Sequence, residues 1–279
     1  MERNDRVTVR FWGVRGSVAT GGLEFAGVGG NTSCVEVRAG DEVLVLDGGT
    51  GLRALGEALG PEARVHLLLS HLHWDHIQGF PFFGPAYSPR AELSVYGPAG
   101  GDAALREALA RQMEPPGFPV PLGALKARLR FRALQPGDVL SVGPAEVEVL
   151  ALRHPQPCLG YRISANGRRV VYATDTERLP EGAIDPDMLK AARGADLLIH
   201  DSQYTDDEYA GRRGPPRAGW GHSTIGDACR LAAAAEVKRL ALFHHDPSHD
   251  DRELSRLGEE AKALFANVAI AREGLTVTL

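Results

Sequence analysis

Six residues, His71-Leu72-His73-Trp74-Asp75-His76, limit what this chain can fold into more than any other segment. They follow Arg64 to Ser70 (RVHLLLS), a short apolar run that reads as a buried strand. In an extended segment residues i and i+2 point the same way, so His71 and His73 converge on one point while Leu72 and Trp74 pack on the other side. A helix that begins here turns Asp75 and His76 toward a second point nearby. Four potential ligands within six residues indicate metal binding rather than a solvated polar loop. The fold must therefore end a buried strand at a polar centre and bring other ligands there from distant sequence.

Other predicted strands end in suitable residues. His154 follows Ala145 to Leu152 and precedes Pro155, and it would add a third nitrogen to His71 and His73. Asp175 ends a strand over Arg169 to Thr174 and reads either as a turn aspartate or as a carboxylate bridging two cations. His244 and His245 close a strand over Arg239 to Phe243, and either one supplies the last imidazole.

The remaining pattern gives the frame. Val7 to Trp12, Ser33 to Arg38 and Glu42 to Asp47 read as an antiparallel meander separated by glycine-rich turns. A helix over Leu52 to Leu59, a strand over Glu92 to Tyr96, a helix over Gly101 to Met113 and a strand over Leu129 to Ala133 complete the first half. In the second half, a strand over Leu159 to Ser164 joins that at Arg169 to Thr174 through the hairpin turn Asn166-Gly167. Helices near Pro186 to Ala192, Thr224 to Ala235 and Asp251 to Phe265 then alternate with strands over Asp196 to His200 and Arg239 to Phe243. Two β-rich halves, each flanked by helices, predict a single α/β domain over residues 1–279, layered helix, sheet, sheet, helix. Four prolines make Glu114 to Gly123 a stiff loop, either a passive connection or a lid over a pocket.

Composition narrows the function. The 36 acidic and 31 basic residues give a formal charge of −5, which argues against gripping long nucleic acid by charge. The three cysteines, Cys34, Cys158 and Cys229, are far apart and form no CxxC pair, so neither a disulfide framework nor a thiolate metal cluster is expected. The charged segment Met1 to Arg10 has no apolar core of a signal peptide, and no stretch is long and apolar enough for a membrane span. A cytoplasmic location is expected.

Taken together, Asp47 in LDGG, the HLHWDH segment, His154, Asp175 and the terminal histidine resemble, in order, the metallo-β-lactamase superfamily. The resemblance runs over nearly the whole chain and implies an αββα fold with two divalent metal ions, zinc first, with manganese or iron as alternatives. Carried over by motif, His71, His73 and His154 would hold the first ion, Asp75, His76 and His244 the second, and Asp175 would bridge them. Asp47 would be a buried supporting carboxylate. Phe11-Trp12-Gly13, Gly30-Asn31-Thr32-Ser33-Cys34, Asp196 to Asp201 (DLLIHD) and Gly221-His222-Ser223-Thr224 are similar to segments of the ribonuclease Z and phosphodiesterase branch. That likeness implies a phosphodiesterase in which Asp75 orients the attacking water. His222 would meet charge on the leaving oxygen, against the alternative of a residue that serves only the next helix cap.

Two features depart from that branch. Asp175 follows His154 by only 21 positions, so the tRNA-gripping arm inserted there in typical ribonuclease Z enzymes is absent. The terminal motif carries adjacent histidines, with His244 favoured by alignment and His245 in reserve. The expected substrate is consequently a small phosphodiester, cyclic nucleotide or nucleotide-like. The alternatives are ester, thioester or lactone hydrolysis, an RNA endonuclease, or a metal-bound sensing module without turnover. A homodimer is implied by the resemblance alone. Asp47 and Asp201 are expected to accept hydrogen bonds from ligand imidazoles, His66 to lie in the core, and His200 and His249 to be structural or surface residues.

Overall fold

The computed structural model describes residues 6–279, and Met1 to Asp5, half of the charged N-terminal segment, lie outside the described residues. Strands β1 (Val7–Gly13), β2 (Cys34–Ala39), β3 (Glu42–Leu46), β4 (Arg64–Leu68), β5 (Glu92–Pro98), β6 (Arg128–Leu134) and β14 (Thr276–Thr278) form one sheet, ordered β14-β1-β2-β3-β4-β5-β6. Strands β7 (Val139–Val142), β8 (Ala145–Leu152), β9 (Cys158–Ala165), β10 (Arg168–Ala173), β11 (Leu197–Asp201), β12 (Leu240–Phe243) and β13 (Val268–Ile270) form the other, ordered β13-β12-β11-β10-β9-β8-β7. Each sheet begins as an antiparallel meander and continues as parallel strands. The helices are α1 (Leu52–Leu59), α2 (Trp74–Ile77), α3 (Asp102–Arg111), α4 (Pro186–Ala192), α5 (Asp206–Tyr209), α6 (Ile225–Ala234) and α7 (Asp251–Leu264).

Period-two patterning explains the layers. In β3, Leu44 and Leu46 enter the core between the sheets, while Val43 and Val45 face the other way, against α1. The inter-sheet core joins Val9, Phe11, Val35 and Val37 to Val147, Tyr161, Tyr172, Ile199 and Phe243. A second core holds Leu52, Leu55, Leu105 and Leu109 of α1 and α3 against the first sheet. A third holds Met188, Ala228, Leu254 and Leu257 of α4, α6 and α7 against the second. Three cores between four layers are the expected α/β sandwich, αββα.

The turn at Asn166-Gly167 has φ of 50° and 73°, the paired positive values that a two-residue hairpin requires. It fills the short interval between His154 and Asp175 with β9 and β10 alone. The sequence reading differs for His66, which lies in β4 yet is only half-buried, its Nδ1 3.1 Å from the Tyr96 hydroxyl. His200 and His249 are both buried, the former donating Nδ1–H to the Asp201 carbonyl at 2.7 Å and the latter meeting Glu208 at 2.9 Å. No helix among the described residues is long and apolar enough to cross a membrane.

Candidate metal centre

Strand ends bring the polar residues together. β4 stops at Leu68, two residues before the hexapeptide, and α2 begins at Trp74, so His71 and His73 lie on extended backbone and Asp75 and His76 on the first helical turn. Asp47, Asp175 and His244 have φ of 61°, 50° and 61°. Each follows a strand and takes the left-handed conformation, at a cost of roughly 1–2 kcal/mol, which turns the chain sharply while its side chain enters the centre. Aspartate and histidine tolerate that region better than most side chains.

The side chains form overlapping groups whose ligand atoms lie within 4.8 Å of one another: His71, His73 and His154; His71, His76 and Asp175; Asp75, His76 and His244; and Asp175, His222 and His244. His76 Nε2 is 3.1 Å from Asp75 Oδ2 and 3.3 Å from Asp175 Oδ2. His244 Nε2 is 3.2 Å from Asp75 Oδ2 and 3.3 Å from Asp175 Oδ2. The other oxygen of Asp175 lies 3.8 Å from His71 Nε2, so this carboxylate faces both halves of the cluster.

Hydrogen bonds on the outside set the tautomers inside. His76 Nδ1 donates to Asp47 Oδ2 at 2.8 Å and His244 Nδ1 to Gln203 Oε1 at 2.9 Å. His154 Nδ1 donates to the Gly221 carbonyl at 3.2 Å, and His73 Nε2 to Gln156 Oε1 at 2.8 Å. His71 Nδ1 lies 3.1 Å from Ser70 Oγ. With a single proton on each ring, on the outward nitrogen, every inward nitrogen is a lone pair. His76 Nε2 and His244 Nε2 face each other at 3.2 Å, and His73 Nδ1 and His154 Nε2 at 3.4 Å. His71 Nε2 is buried without a hydrogen-bond partner. Acceptors that converge on acceptors repel unless positive charge lies among them, and a set of imidazoles and carboxylates fits divalent cations such as zinc, manganese or iron.

Where no cation lies between the rings, a proton on His76 answers the same demand for positive charge. Burial opposes a charge on His76, but the carboxylates of Asp75, Asp175 and Asp47 outweigh it and hold the pKa well above the ordinary histidine value. Burial, reinforced by His76, pushes His71 well down, and burial also lowers His154. Asp75 and Asp175 stay well below the usual carboxylate value despite burial, because charged imidazoles surround them.

The adjacent histidines separate cleanly. His245 turns away, with Nε2 2.9 Å from the Ala271 carbonyl, and burial pulls its pKa down to about 3. His244 alone reaches the cluster. Gly16 packs on its ring, where a Cβ would stand 2.4 Å from His244 Nδ1.

His222 lies beside the cluster, its ring 5.0 Å from that of His244 and 5.6 Å from that of His154. Its Nδ1 donates to Asp201 Oδ2 at 2.8 Å. Burial alone would lower its pKa, but Asp201 raises it to about 9. Asp201 is itself fixed by the backbone N–H groups of Thr176, Gln203 and Ser223. Thr224, not His222, caps α6, in a reciprocal pair with Asp227. Gly221, with φ of 89°, approaches His154 so closely that a Cβ would lie 2.2 Å from its Nδ1.

Sequence reasoning missed several supports. Gln156 and Gln203 orient His73 and His244, Ser17 N donates to Asp75 Oδ2 at 2.8 Å, and Tyr172 donates to Asp47 at 2.7 Å. Glu177 accepts from the N–H groups of Gly219 and Gly221 and so holds the His222 loop. Proximity to a motif residue was the only signal for Gln156 and Gln203, each two residues past His154 or Asp201. In the loop Glu114 to Gly123, Phe118 meets Phe82 edge-on at 5.5 Å and lines a groove with Trp74 and Ile77. None of its residues lines the cavity that opens onto His71, His73 and His154.

Known proteins share this frame. The beta-lactamase superfamily domain matches residues 44–245. Ribonuclease Z of Streptococcus suis is 25% identical over 316 residues, covering 90% of this chain and 97% of that protein. That span exceeds the 279 residues of this chain, so the relative carries segments with no counterpart here. Among solved structures, the metallo-beta-lactamase fold protein YhfI of Bacillus subtilis is similar with a TM-score of 0.77 at 24% identity, covering 99% of this chain and 100% of that one. The short form of human tRNase Z is similar with a TM-score of 0.67 at 21% identity, covering 97% and 98%.

Proposed function

The chain belongs to the beta-lactamase superfamily, and from that premise we propose that it is a metal-dependent phosphodiesterase acting on a small phosphodiester. The observation that carries the reading is the convergence of one ring nitrogen each from His71, His73, His154, His76 and His244 on two carboxylates, while the other nitrogen of each ring meets a partner outside the cluster. His71, His73 and His154 would hold one divalent cation, and Asp75, His76 and His244 a second, with Asp175 shared. Such cations supply Lewis acidity and a nucleophilic water at neutral pH.

The chain's own residues do the rest. Asp75, fixed by Ser17 N, would orient the attacking water. His222 commits Nδ1 to Asp201 and keeps Nε2 for a leaving-group oxygen, on which it would place a proton. The inter-sheet core draws on residues from Val7 to Ala271, which supports one domain over residues 1–279.

An RNA endonuclease is the second reading, favoured by the Streptococcus suis relative. Against it stands the interval between His154 and Asp175, filled by β9 and β10 with a two-residue turn. Turnover of bis(p-nitrophenyl) phosphate by protein loaded with zinc, manganese or iron tests the main reading, with Asp75→Ala as the control. Release of p-nitrophenol that is lost in Asp75→Ala is expected. No release with any of the three metals, or equal release by the variant, overturns it. Faster cleavage of a short RNA than of any small diester would favour the second reading.

A further inference from the structure

A cavity of about 770 Å³ opens beside His71, His73 and His154. Pro98, Pro136, Pro155 and Pro157 stiffen its rim, and Leu72, Leu134, Leu152 and Leu159 contribute apolar surface. Apart from the three imidazoles, its polar side chains are the amides of Gln135 and Gln156 and the thiol of Cys158, and no Lys, Arg, Asp or Glu lines it. Gln156 has its carbonyl committed to His73 at 2.8 Å, which leaves its NH2 group to donate elsewhere. Cys158 is buried, with Sγ 3.8 Å from His71 Nδ1.

We propose that this cavity is the subsite for one ester group of the substrate, and that the group it takes is uncharged, largely apolar and of nucleoside size. The inference deepens the phosphodiesterase reading and rests on it. Beyond the ion that His71, His73 and His154 would hold for the phosphate, a charged substituent would be desolvated against proline and leucine with no charged side chain to receive it, which is costly. A neutral planar group loses little on leaving water, and two amides can meet a polar edge. Four rigid proline rings hold the walls in place beforehand, so little ordering is needed on binding. The volume lies within the usual range of small-molecule sites. A polyanion such as a second phosphate group or an extended RNA strand finds no cation along these walls.

The test compares phenyl p-nitrophenyl phosphate with 4-carboxyphenyl p-nitrophenyl phosphate, which share a leaving group and differ by one charge. The wild-type protein is expected to show a KM at least tenfold lower for the phenyl diester, at similar kcat. Ala151→Arg, at an exposed position on the cavity wall, should reduce that ratio severalfold by supplying the missing cation. Turnover of both diesters with equal KM overturns the subsite while leaving the phosphodiesterase reading intact, and so does an unchanged ratio in a folded Ala151→Arg. If neither diester is cleaved, the reading itself fails. The subsite is then judged by calorimetry with phenyl phosphate and 4-carboxyphenyl phosphate. Equal affinity for the two overturns it, and a tenfold preference for phenyl phosphate that shrinks in Ala151→Arg upholds it.

Discussion

Asp47 does not enter either ligand group, yet substituting it should disturb the whole centre. Its carboxylate is fully buried and accepts four hydrogen bonds: Ser70 N at 2.6 Å, Ser70 Oγ at 2.8 Å, His76 Nδ1 at 2.8 Å and Tyr172 Oη at 2.7 Å. In Asp47→Asn the shape is kept, and asparagine accepts the φ of 61° readily, so backbone strain is not added. If the amide oxygen keeps Ser70 N, the NH2 group occupies the place of Oδ2 and faces three donors. The hydroxyls of Ser70 and Tyr172 can rotate, but the ring N–H of His76 cannot. One hydrogen bond to a charged acceptor is lost, worth about 1.5–3 kcal/mol, and a buried donor is left unpaired at about 1–3 kcal/mol. A loss of about 4 kcal/mol follows, which corresponds to a Tm lower by roughly 8–16 °C in a chain of this size. The alternative, moving the His76 proton to Nε2, removes the lone pair that faces Asp75 and Asp175, and metal affinity should fall about 10–100-fold. Scanning calorimetry of the metal-loaded protein and a competition titration with a chelator read both effects. An Asp47→Asn protein with unchanged Tm and unchanged metal affinity would refute the reasoning.

Three other outcomes are expected. His222→Ala should lower kcat on a phosphodiester by about 10²–10⁴ while the metal content stays at the wild-type level; equal metal loss in His222→Ala and Asp75→Ala would deny His222 its separate role. Gly16→Ala should lower metal content, because the new Cβ would lie 2.4 Å from His244 Nδ1 and push the ring aside; wild-type content would show that the loop yields instead. Burial alone would raise the pKa of Glu208, but hydrogen bonds from His249 and Thr205 lower it from 4.5 to about 2. A carboxylate lowered on folding adds stability above its unfolded pKa, and that stability fades as pH falls from about 4.5 toward 2. Urea midpoints of Glu208→Gln should therefore change less across that window than those of the wild type.

Much of the centre was legible because its residues sit in the sequence where strands end. The spacing in His71 to His76 states its geometry directly, and Leu44 and Leu46 against Val43 and Val45 show why β3 must be covered on both faces. The residue pattern alone leaves His244 and His245 open and only the family alignment favours His244, since adjacent residues share a motif and the turn after β12, with φ of 61° at His244, is what separates them. Strands β7, β13 and β14 escaped because they are three or four residues long and lie at sheet edges, where pairing rather than side-chain pattern defines them. Gln156, Gln203 and Glu177 act through contacts made only on folding, so no spacing announces them. His66 was misplaced because position within a strand does not reveal which side chains cover it, here Tyr96 and Glu42 with polar atoms toward the ring.

The central claim is that inward lone pairs around Asp75 and Asp175 hold two divalent cations. Metal analysis by mass spectrometry, on protein loaded with zinc and freed of excess by gel filtration, measures this directly. Two equivalents per chain are predicted, and one equivalent or none would contradict the account.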